Sequence, residues 1–327
     1  MDGPQGMIDY VSGGSGYQFT DENMVGATWN KELAYQFGDL CSQEFTLKGA
    51  TTWWSPAINI HRTAFSGRNF EYLSEDGVHS GIMGVQVTVA AKANGVNCQL
   101  KHFFLNDEET NRGGHGRLAP FATEQSMREI YLKPFEMCVE AVPSSGVMLS
   151  MCRIGTRIAP GHYNLLTGVL RNEWGMTGAI ITDAQSLTLY EAEQALAAGC
   201  DMVDTMQQTE YLDSTLSSAG GQYTLRTAVK HVLYMEVNSA ASSIQVTQGF
   251  PIYILLLIAY NVLTVIYLGY ITVEILLRYK PAMMGKKAKW IMRGVLWVPA
   301  VVITAVLVYM LVTVWLPALE FALQTAV

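Results

Sequence analysis

The chain has 327 residues, 50% of them hydrophobic, and a formal net charge of −7. Its charge is unevenly divided: residues 1–249 hold 15 basic and 26 acidic residues, whereas residues 250–327 hold six basic and two acidic ones. Nucleic-acid binding is driven by neutralisation of phosphate charge, so an acidic first part argues against it. We therefore expect no nucleic-acid partner.

The first part alternates short apolar runs with helix-like stretches. The apolar runs predict strands over residues 52–58, 96–100, 147–151, 179–182 and 200–203. The stretches between and after them predict four helices, which begin at Asn30, begin at Thr123, span 186–198 and span 224–237. Asn30 is a residue type that caps helix N-termini. Alternation of strands and helices predicts parallel βαβ units.

Polar or charged residues follow the ends of these apolar runs, namely Asn59, Lys101, His102, Arg153, Asp183 and Asp204. In a (β/α)8 barrel the active site is built where strands end. A doubly wound sheet is the alternative, but the glycine-rich loop at 113–116 lacks the strand–turn–helix context of a phosphate loop. About five strands are too few for a closed barrel. The predicted fold class is therefore α/β, an incomplete (β/α)8 TIM-like barrel over residues 1–240.

Two long apolar runs follow a linker at 241–250. Residues 251–277 and 294–318 each exceed the roughly 20 residues that a helix needs to cross a bilayer, and they predict two transmembrane helices before a short tail at 319–327. All six bases of this part lie between the runs, in residues 278–293. The positive-inside rule then predicts that this loop is cytoplasmic. We expect a cell-membrane protein, with the lipid bilayer as a partner and the barrel outside the cytoplasm.

The five cysteines are scattered and odd in number, and several lie in apolar runs. This pattern predicts buried thiols rather than a disulfide framework. Cysteines and histidines show no metal-ligand spacing. We expect neither a metal nor a cofactor.

Four segments carry the chemistry. Asp-Gly-Pro stands at 2–4, Asn-Ile-His-Arg at 59–62 leads into Gly-Arg-Asn-Phe-Glu-Tyr at 67–72, Lys-His opens the polar segment 101–112, and an apolar strand ends in Thr-Asp at 182–183. In this order and spacing the segments closely resemble glycoside hydrolase family 3, on its β-glucosidase-like branch. The resemblance covers about residues 1–240.

The resemblance implies retaining, exo-acting hydrolysis of a β-linked oligosaccharide or glycoside. It assigns the nucleophile to Asp183, and it places Asp2, Arg68, Lys101 and His102 around the sugar in subsite −1. A retaining glycosidase needs an ionised carboxylate and a second, protonated carboxyl group about 5–5.5 Å from it. We expect Lys101, His102 and Arg68 to help keep Asp183 ionised by lowering its pKa.

The other acids of these segments are expected to support the site. Glu71, Glu75 and Asp76 are interpreted as scaffold ion pairs or helix-start acids. Asp107, Glu108 and Glu109 are interpreted as braces for the segment that carries the Lys-His pair.

The chain departs from the family pattern in several places. Ala184 follows the nucleophile where the family usually has Trp, and Met151 replaces a substrate-site Tyr that normally supports the nucleophile. The family's acid/base usually comes from an α/β-sandwich domain after the barrel, where this chain has apolar runs. Some family members reverse the domain order. We therefore expect a sandwich domain and an export signal upstream, and an N-terminally truncated barrel without its leading strand.

Two other functions remain open. A non-catalytic, membrane-tethered carbohydrate-binding or sensing protein is favoured by Ala184, Met151 and the unidentified acid/base. A transport or signalling protein with the barrel as a sensor rests on Asn261 and Glu274, the polar residues of the first apolar run.

Overall fold

The chain divides into two compact units, Met1–Ile244 and Gln245–Val327. The computed structural model describes residues 3–7, 16–112, 118–183, 192–204, 215–241 and the single positions 243, 261, 264, 265, 268 and 269. Within these residues, no helix combines the length and the apolar character that a bilayer-crossing helix requires. Of the predicted spans 251–277 and 294–318, the structure describes only positions 261, 264, 265, 268 and 269. Both transmembrane helices therefore stay predictions.

The strands form one parallel sheet and a small hairpin. They are β1 (Thr52–Trp53), β2 (Asn97–Phe103), β3 (Gly146–Leu149), β4 (Arg153–Ile154), β5 (Arg157–Ile158) and β6 (Ile180–Ile181). The sheet has the order β1-β2-β3-β6, and β4 and β5 form the antiparallel hairpin. A parallel bridge between Ile181 and Met202 continues the sheet. All five predicted strands thus take part in it, although β1 is shorter than predicted.

The winding of the sheet decides between the two predicted folds. Each described strand of the sheet neighbours the strand that precedes it in the chain, so the order does not reverse. A doubly wound sheet would reverse at a switch point. The observed order is that of a TIM-barrel-like α/β fold, and the doubly wound alternative is wrong.

The helices are α1 (Glu22–Ala27), α2 (Lys31–Leu47), α3 (Gly77–Ala93), α4 (Glu124–Ser126), α5 (Lys133–Ala141), α6 (Ala192–Ala198) and α7 (Ala219–Val237). Two π-helical segments, Met127–Tyr131 and Asn164–Glu173, and the 3₁₀ turn Ala159–Gly161 complete the described elements. The predicted cap of α2 is confirmed, since the Asn30 side chain accepts from the backbone N–H groups of Glu32 and Leu33. Helix α7 begins five residues before its predicted start, because Ser218 caps it.

The interpretation of Asp76 as a helix-start acid is confirmed, since its side chain caps α3 by accepting from His79 N–H. The apolar periodicity did not predict the rest of this helix, because α3 is buried on most of its surface and shows no single apolar stripe. It packs closely on α2. A Cβ atom added to Gly38 would lie 2.6 Å from the carbonyl oxygen of Val87. The small residue therefore allows the two helix backbones to approach.

The predicted helix that starts at Thr123 is interrupted. It starts where expected, since Thr123 caps it by accepting from Ser126 N–H, but Met127–Tyr131 is π-helical before α5 begins. Pro134 lies in the first turn of α5 and has no N–H to donate, which accounts for the break in regular α-helical bonding.

Aromatic rings fill the interior between helices and sheet. Trp53 of β1 contacts Phe37 and Phe45 of α2, with ring centroids 6.1 and 5.6 Å apart. Phe103 of β2 meets Phe135 of α5 edge-on at 5.2 Å. All five cysteines are buried, unpaired thiols, as the sequence predicts.

Candidate active site

The carboxyl ends of the parallel strands meet at one edge of the sheet. Lys101 and His102 lie near the end of β2, Ser150 follows β3, and Asp183 follows β6 by two residues. Parallel pairing brings these strand ends together. Segments that are distant in the chain thus contribute polar side chains to one place.

Lys101 is held by a buried ion pair. Its Nζ lies 2.8 Å from Glu71 Oε1, and both side chains are nearly buried. Glu71 also accepts from Arg68, whose Nε lies 2.6 Å from Oε2. Burial by itself would raise the pKa of Glu71, but Lys101 and Arg68 lower it below its usual value. Glu71 is therefore a carboxylate that ties together two predicted sugar-binding cations, in agreement with its interpretation as an ion-pair residue.

Arg112 is the contact that joins the 101–112 segment to Asp183. Arg112 Nη1 lies 3.2 Å from Asp183 Oδ2, and Arg112 Nε lies 2.6 Å from Glu109 Oε2. Glu109 Oε1 lies 3.2 Å from Arg68 Nη1. Arg112 ends the polar segment 101–112, and the sequence did not predict its contact with the expected nucleophile. The motif showed that Arg112 belongs to this segment, but it could not show the contact, because Asp183 lies 71 residues further along the chain.

His102 is neutral. Burial, followed by the charges of Arg68, Lys101 and Arg112, lowers its pKa well below the usual 6.5. Arg68 Nη2 donates to His102 Nε2 at 3.1 Å, because a guanidinium group has no acceptor. The proton of the neutral ring is therefore on Nδ1. The expectation that His102 contributes positive charge beside Asp183 is wrong, since burial among three cations disfavours the imidazolium.

Hydrogen bonds fix the segment after β2. Asp107 Oδ1 accepts from Ile60 N–H at 3.0 Å, and Asn59 exchanges two hydrogen bonds with the backbone of His102. Asn106 Nδ2 donates to Glu109 Oε1 at 2.9 Å. Asp107 and Glu109 therefore act as the predicted braces, whereas Glu108 bonds within its own turn, to Thr110 N–H.

The charges of this network balance. It contains three cations and three carboxyl groups: Arg68, Lys101, Arg112, Glu71, Glu109 and Asp183. Such a network holds its members in fixed positions, because each charge has an oppositely charged neighbour. A rigid set of donors beside a carboxylate suits a ligand with many hydroxyl groups.

Asp2 and Met151 are the other two predicted site residues. Asp2 lies outside the described residues. Its neighbour Gly3 lies against the network, since a Cβ atom added there would be 3.2 Å from Lys101 Nζ. Met151 is half-buried just beyond β3, at the same edge of the sheet. Its thioether is a poor hydrogen-bond partner, and the structure gives it no contact that tests its substrate-binding role.

The neutrality of His102 predicts a pH dependence of stability. The folded protein keeps this ring neutral, whereas the unfolded chain binds a proton near pH 6.5. Stability is therefore expected to fall as the pH drops below about 6.5. Urea unfolding of wild type and His102→Gln between pH 7 and pH 5 measures this effect. The wild type should lose more stability over this interval, and equal slopes would contradict the assignment.

A parallel sheet of this winding with charged groups at its strand ends is the architecture of an α/β-barrel enzyme. Residues 2–235 match the glycosyl hydrolase family 3 N terminal domain. The chain therefore belongs to glycoside hydrolase family 3.

The curated relatives include several β-glucosidases. The chain is 32% identical over 240 residues to a probable β-glucosidase I of Aspergillus clavatus, a match that covers 71% of this chain and 28% of the relative. It is 37% identical over 166 residues to β-glucosidase A of Butyrivibrio fibrisolvens, covering 50% of this chain and 20% of that protein. The chain thus spans little more than a quarter of the first relative's length.

Solved structures show the same fold. β-Glucosidase 3B from Thermotoga neapolitana in complex with glucose superposes with a TM-score of 0.66 at 30% identity, covering 74% of this chain and 36% of that one. The β-glucosidase of Bifidobacterium adolescentis gives a TM-score of 0.67 at 27% identity, covering 76% and 36%.

Proposed function

We propose that this domain binds the terminal glucosyl unit of a β-glucoside and supplies Asp183 as the nucleophile of a retaining hydrolysis. The observation that carries the proposal is the position of Asp183, which follows β6 and is paired with Arg112. Membership of the family and the similarity to β-glucosidases support the substrate class.

The reaction follows from this position. The Asp183 carboxylate attacks the anomeric carbon, the bond to the aglycone oxygen breaks, and that oxygen takes up a proton. Water then attacks the glycosyl–enzyme ester, releases Asp183 and yields glucose with its β configuration retained. Arg112 pairs with Asp183 and limits its movement.

Lys101 and Arg68 are assigned to the sugar hydroxyls. An ammonium group has three donors, and Glu71 accepts one of those of Lys101. Because the ion pairs already orient both cations, little conformational entropy is lost when the sugar binds. Met151 is assigned to an apolar contact with the sugar, and Asp2 to a hydroxyl contact.

The proton donor needs a protonated carboxyl group near the aglycone. We assign it to an α/β-sandwich domain upstream of the barrel, the domain order that some members of the family have. Within the described residues, Asp204 is the alternative, because burial and then the charge of Asp183 raise its pKa. Asp204 N–H donates to Thr182 Oγ1, one residue before Asp183.

Two substrates distinguish attack by the nucleophile from protonation of the leaving group. The leaving group of 2,4-dinitrophenyl β-D-glucoside departs without protonation, whereas methyl β-D-glucoside requires an acid. We expect this chain to hydrolyse the dinitrophenyl glucoside and not the methyl glucoside. Proton NMR should show that the glucose released initially is the β anomer. Release of α-glucose would overturn the retaining mechanism. Glucose binding without turnover would favour the non-catalytic alternative. Methyl glucoside hydrolysis that Asp204→Asn abolishes would assign the acid to Asp204.

We also propose that residues 251–277 and 294–318 anchor the protein in the cell membrane with the barrel outside. The support is their apolar sequence and the six bases of residues 278–293. The anchored protein should stay in the membrane pellet after carbonate extraction and lose its barrel to protease added to intact cells. Extraction by carbonate, or protection from the protease, would contradict this topology.

A further inference from the structure

Glu22, in the first turn of α1, is a buried carboxyl group that the proposed mechanism does not use. Its side chain is fully buried. Oε2 accepts from the backbone N–H of Ala57 at 2.8 Å, and Oε1 accepts from Ser55 Oγ at 2.7 Å. The carboxyl group thus fixes the chain just after β1.

This stretch holds both backbone groups of Lys101. Lys101 N–H donates to the carbonyl oxygen of Pro56 at 3.1 Å, and Ile58 N–H donates to the carbonyl oxygen of Lys101 at 2.9 Å. Ala57, which Glu22 anchors, lies between these two residues and forms the parallel bridge to Lys101. A shift of Ala57 therefore moves Lys101 relative to Glu71.

We propose that Glu22 is a positioning residue for sugar binding, whose carboxyl group clamps the chain just after β1 and so presents Lys101 to the sugar hydroxyls. The inference rests on the proposed function of Lys101. Glu22 itself does not touch the sugar.

The surroundings of Glu22 explain why its neutral form is the one that supports sugar binding. Burial raises the pKa of Glu22 to about 8. Glu71 and Lys101 face it from the site, and the thiols of Cys41, Cys98 and Cys138 face it from the core. Ionised Glu22 would add a fourth carboxylate to the balanced network and compete with Glu71 for Lys101. Sugar affinity should therefore fall as the pH rises through about 8.

The test measures the affinity of the full chain for phenyl 1-thio-β-D-glucoside, a neutral and non-hydrolysable ligand, by calorimetry from pH 6 to pH 9.5. In wild type we expect a decrease of about tenfold, which corresponds to a coupling of one pKa unit between sugar binding and Glu22. Glu22→Gln does not ionise; its amide oxygen can accept from Ala57 N–H while its NH2 group donates to Ser55 Oγ. Its affinity should therefore not show this decrease. Glu22→Ala should bind more weakly at every pH.

Asp201→Asn is the matched control. Asp201 also anchors a strand backbone, accepting from Ile180 N–H at 2.7 Å, but at the beginning of β6. Its replacement should leave the pH profile of sugar affinity unchanged. Identical profiles for wild type and Glu22→Gln, or normal affinity in Glu22→Ala, would overturn the inference.

A failure of the proposed function is recognised separately, since wild type would then bind no thioglucoside at any pH.

Infrared spectroscopy provides a readout without sugar. A carboxylic acid band that disappears near pH 8 should be present in wild type and missing in Glu22→Gln, and its persistence in the variant would refute the neutral clamp.

Discussion

Asp183→Asn is expected to reduce hydrolysis of 2,4-dinitrophenyl β-D-glucoside by on the order of 10⁴-fold, the scale of losses when a nucleophile is removed. The amide is nearly isosteric with the carboxylate but cannot form the glycosyl ester. Because the dinitrophenolate leaves without a proton, the assay reports on the nucleophile whichever residue supplies the acid. Steady-state and single-turnover kinetics give the size of the effect.

Asp183→Ala provides a second readout. Azide fits the space left by the carboxylate and attacks the anomeric carbon from the same face, so the product should be α-glucosyl azide. Asp76→Asn is the control. Asp76 caps α3 by accepting from His79 N–H at 2.7 Å, and asparagine caps helices equally well. Near-normal hydrolysis by Asp183→Asn, or no azide product from Asp183→Ala, would contradict the assignment.

Glu71→Gln is expected to destabilise the protein by about 3–5 kcal/mol, the usual cost of removing one partner of a buried ion pair. The substitution leaves Lys101 without its carboxylate and weakens the hold on Arg68. Affinity for the thioglucoside should fall in parallel, because Lys101 is no longer oriented. Since the pKa of Glu71 is lowered in the folded protein, its stabilisation is present at neutral pH and is lost as the pH falls below about 4.5.

Glu173→Gln is the control for Glu71→Gln. Glu173 pairs with Arg128 at 2.8 Å, and these side chains are 46% and 47% exposed, against 7% and 8% for Glu71 and Lys101. An exposed pair contributes roughly 0–1 kcal/mol. Urea unfolding at pH 7, followed by tryptophan fluorescence, compares the two variants. Equal small losses would show that the pair of Glu71 and Lys101 is not a buried anchor of the fold.

Local patterns predicted much of the fold. Four of the five apolar runs become strands of the described sheet, and the fifth joins it through the bridge between Ile181 and Met202. Asn30 and Thr123 cap the helices that they were expected to start. The pattern did not predict α3, because a helix buried on most sides has no amphipathic stripe. It also did not predict the π-helical segments Met127–Tyr131 and Asn164–Glu173.

The motifs predicted which residues meet, but not how their charges are arranged. Arg68, Lys101 and His102 lie together, as the family resemblance of their motifs implies. The pairing of Arg112 with Asp183, the neutrality of His102 and the clamp formed by Glu22 were not indicated by any motif.

The sequence by itself determined the family, the order of the strands along the chain and the residues near the proposed subsite, because these depend on periodicity and on motifs read in order. Only the tertiary structure decided how deeply His102 and Glu22 are buried, which shifts their pKa values, and that Arg112 pairs with Asp183. Protonation states depend on burial and on charges from distant segments, and such distances exist only once the chain has folded.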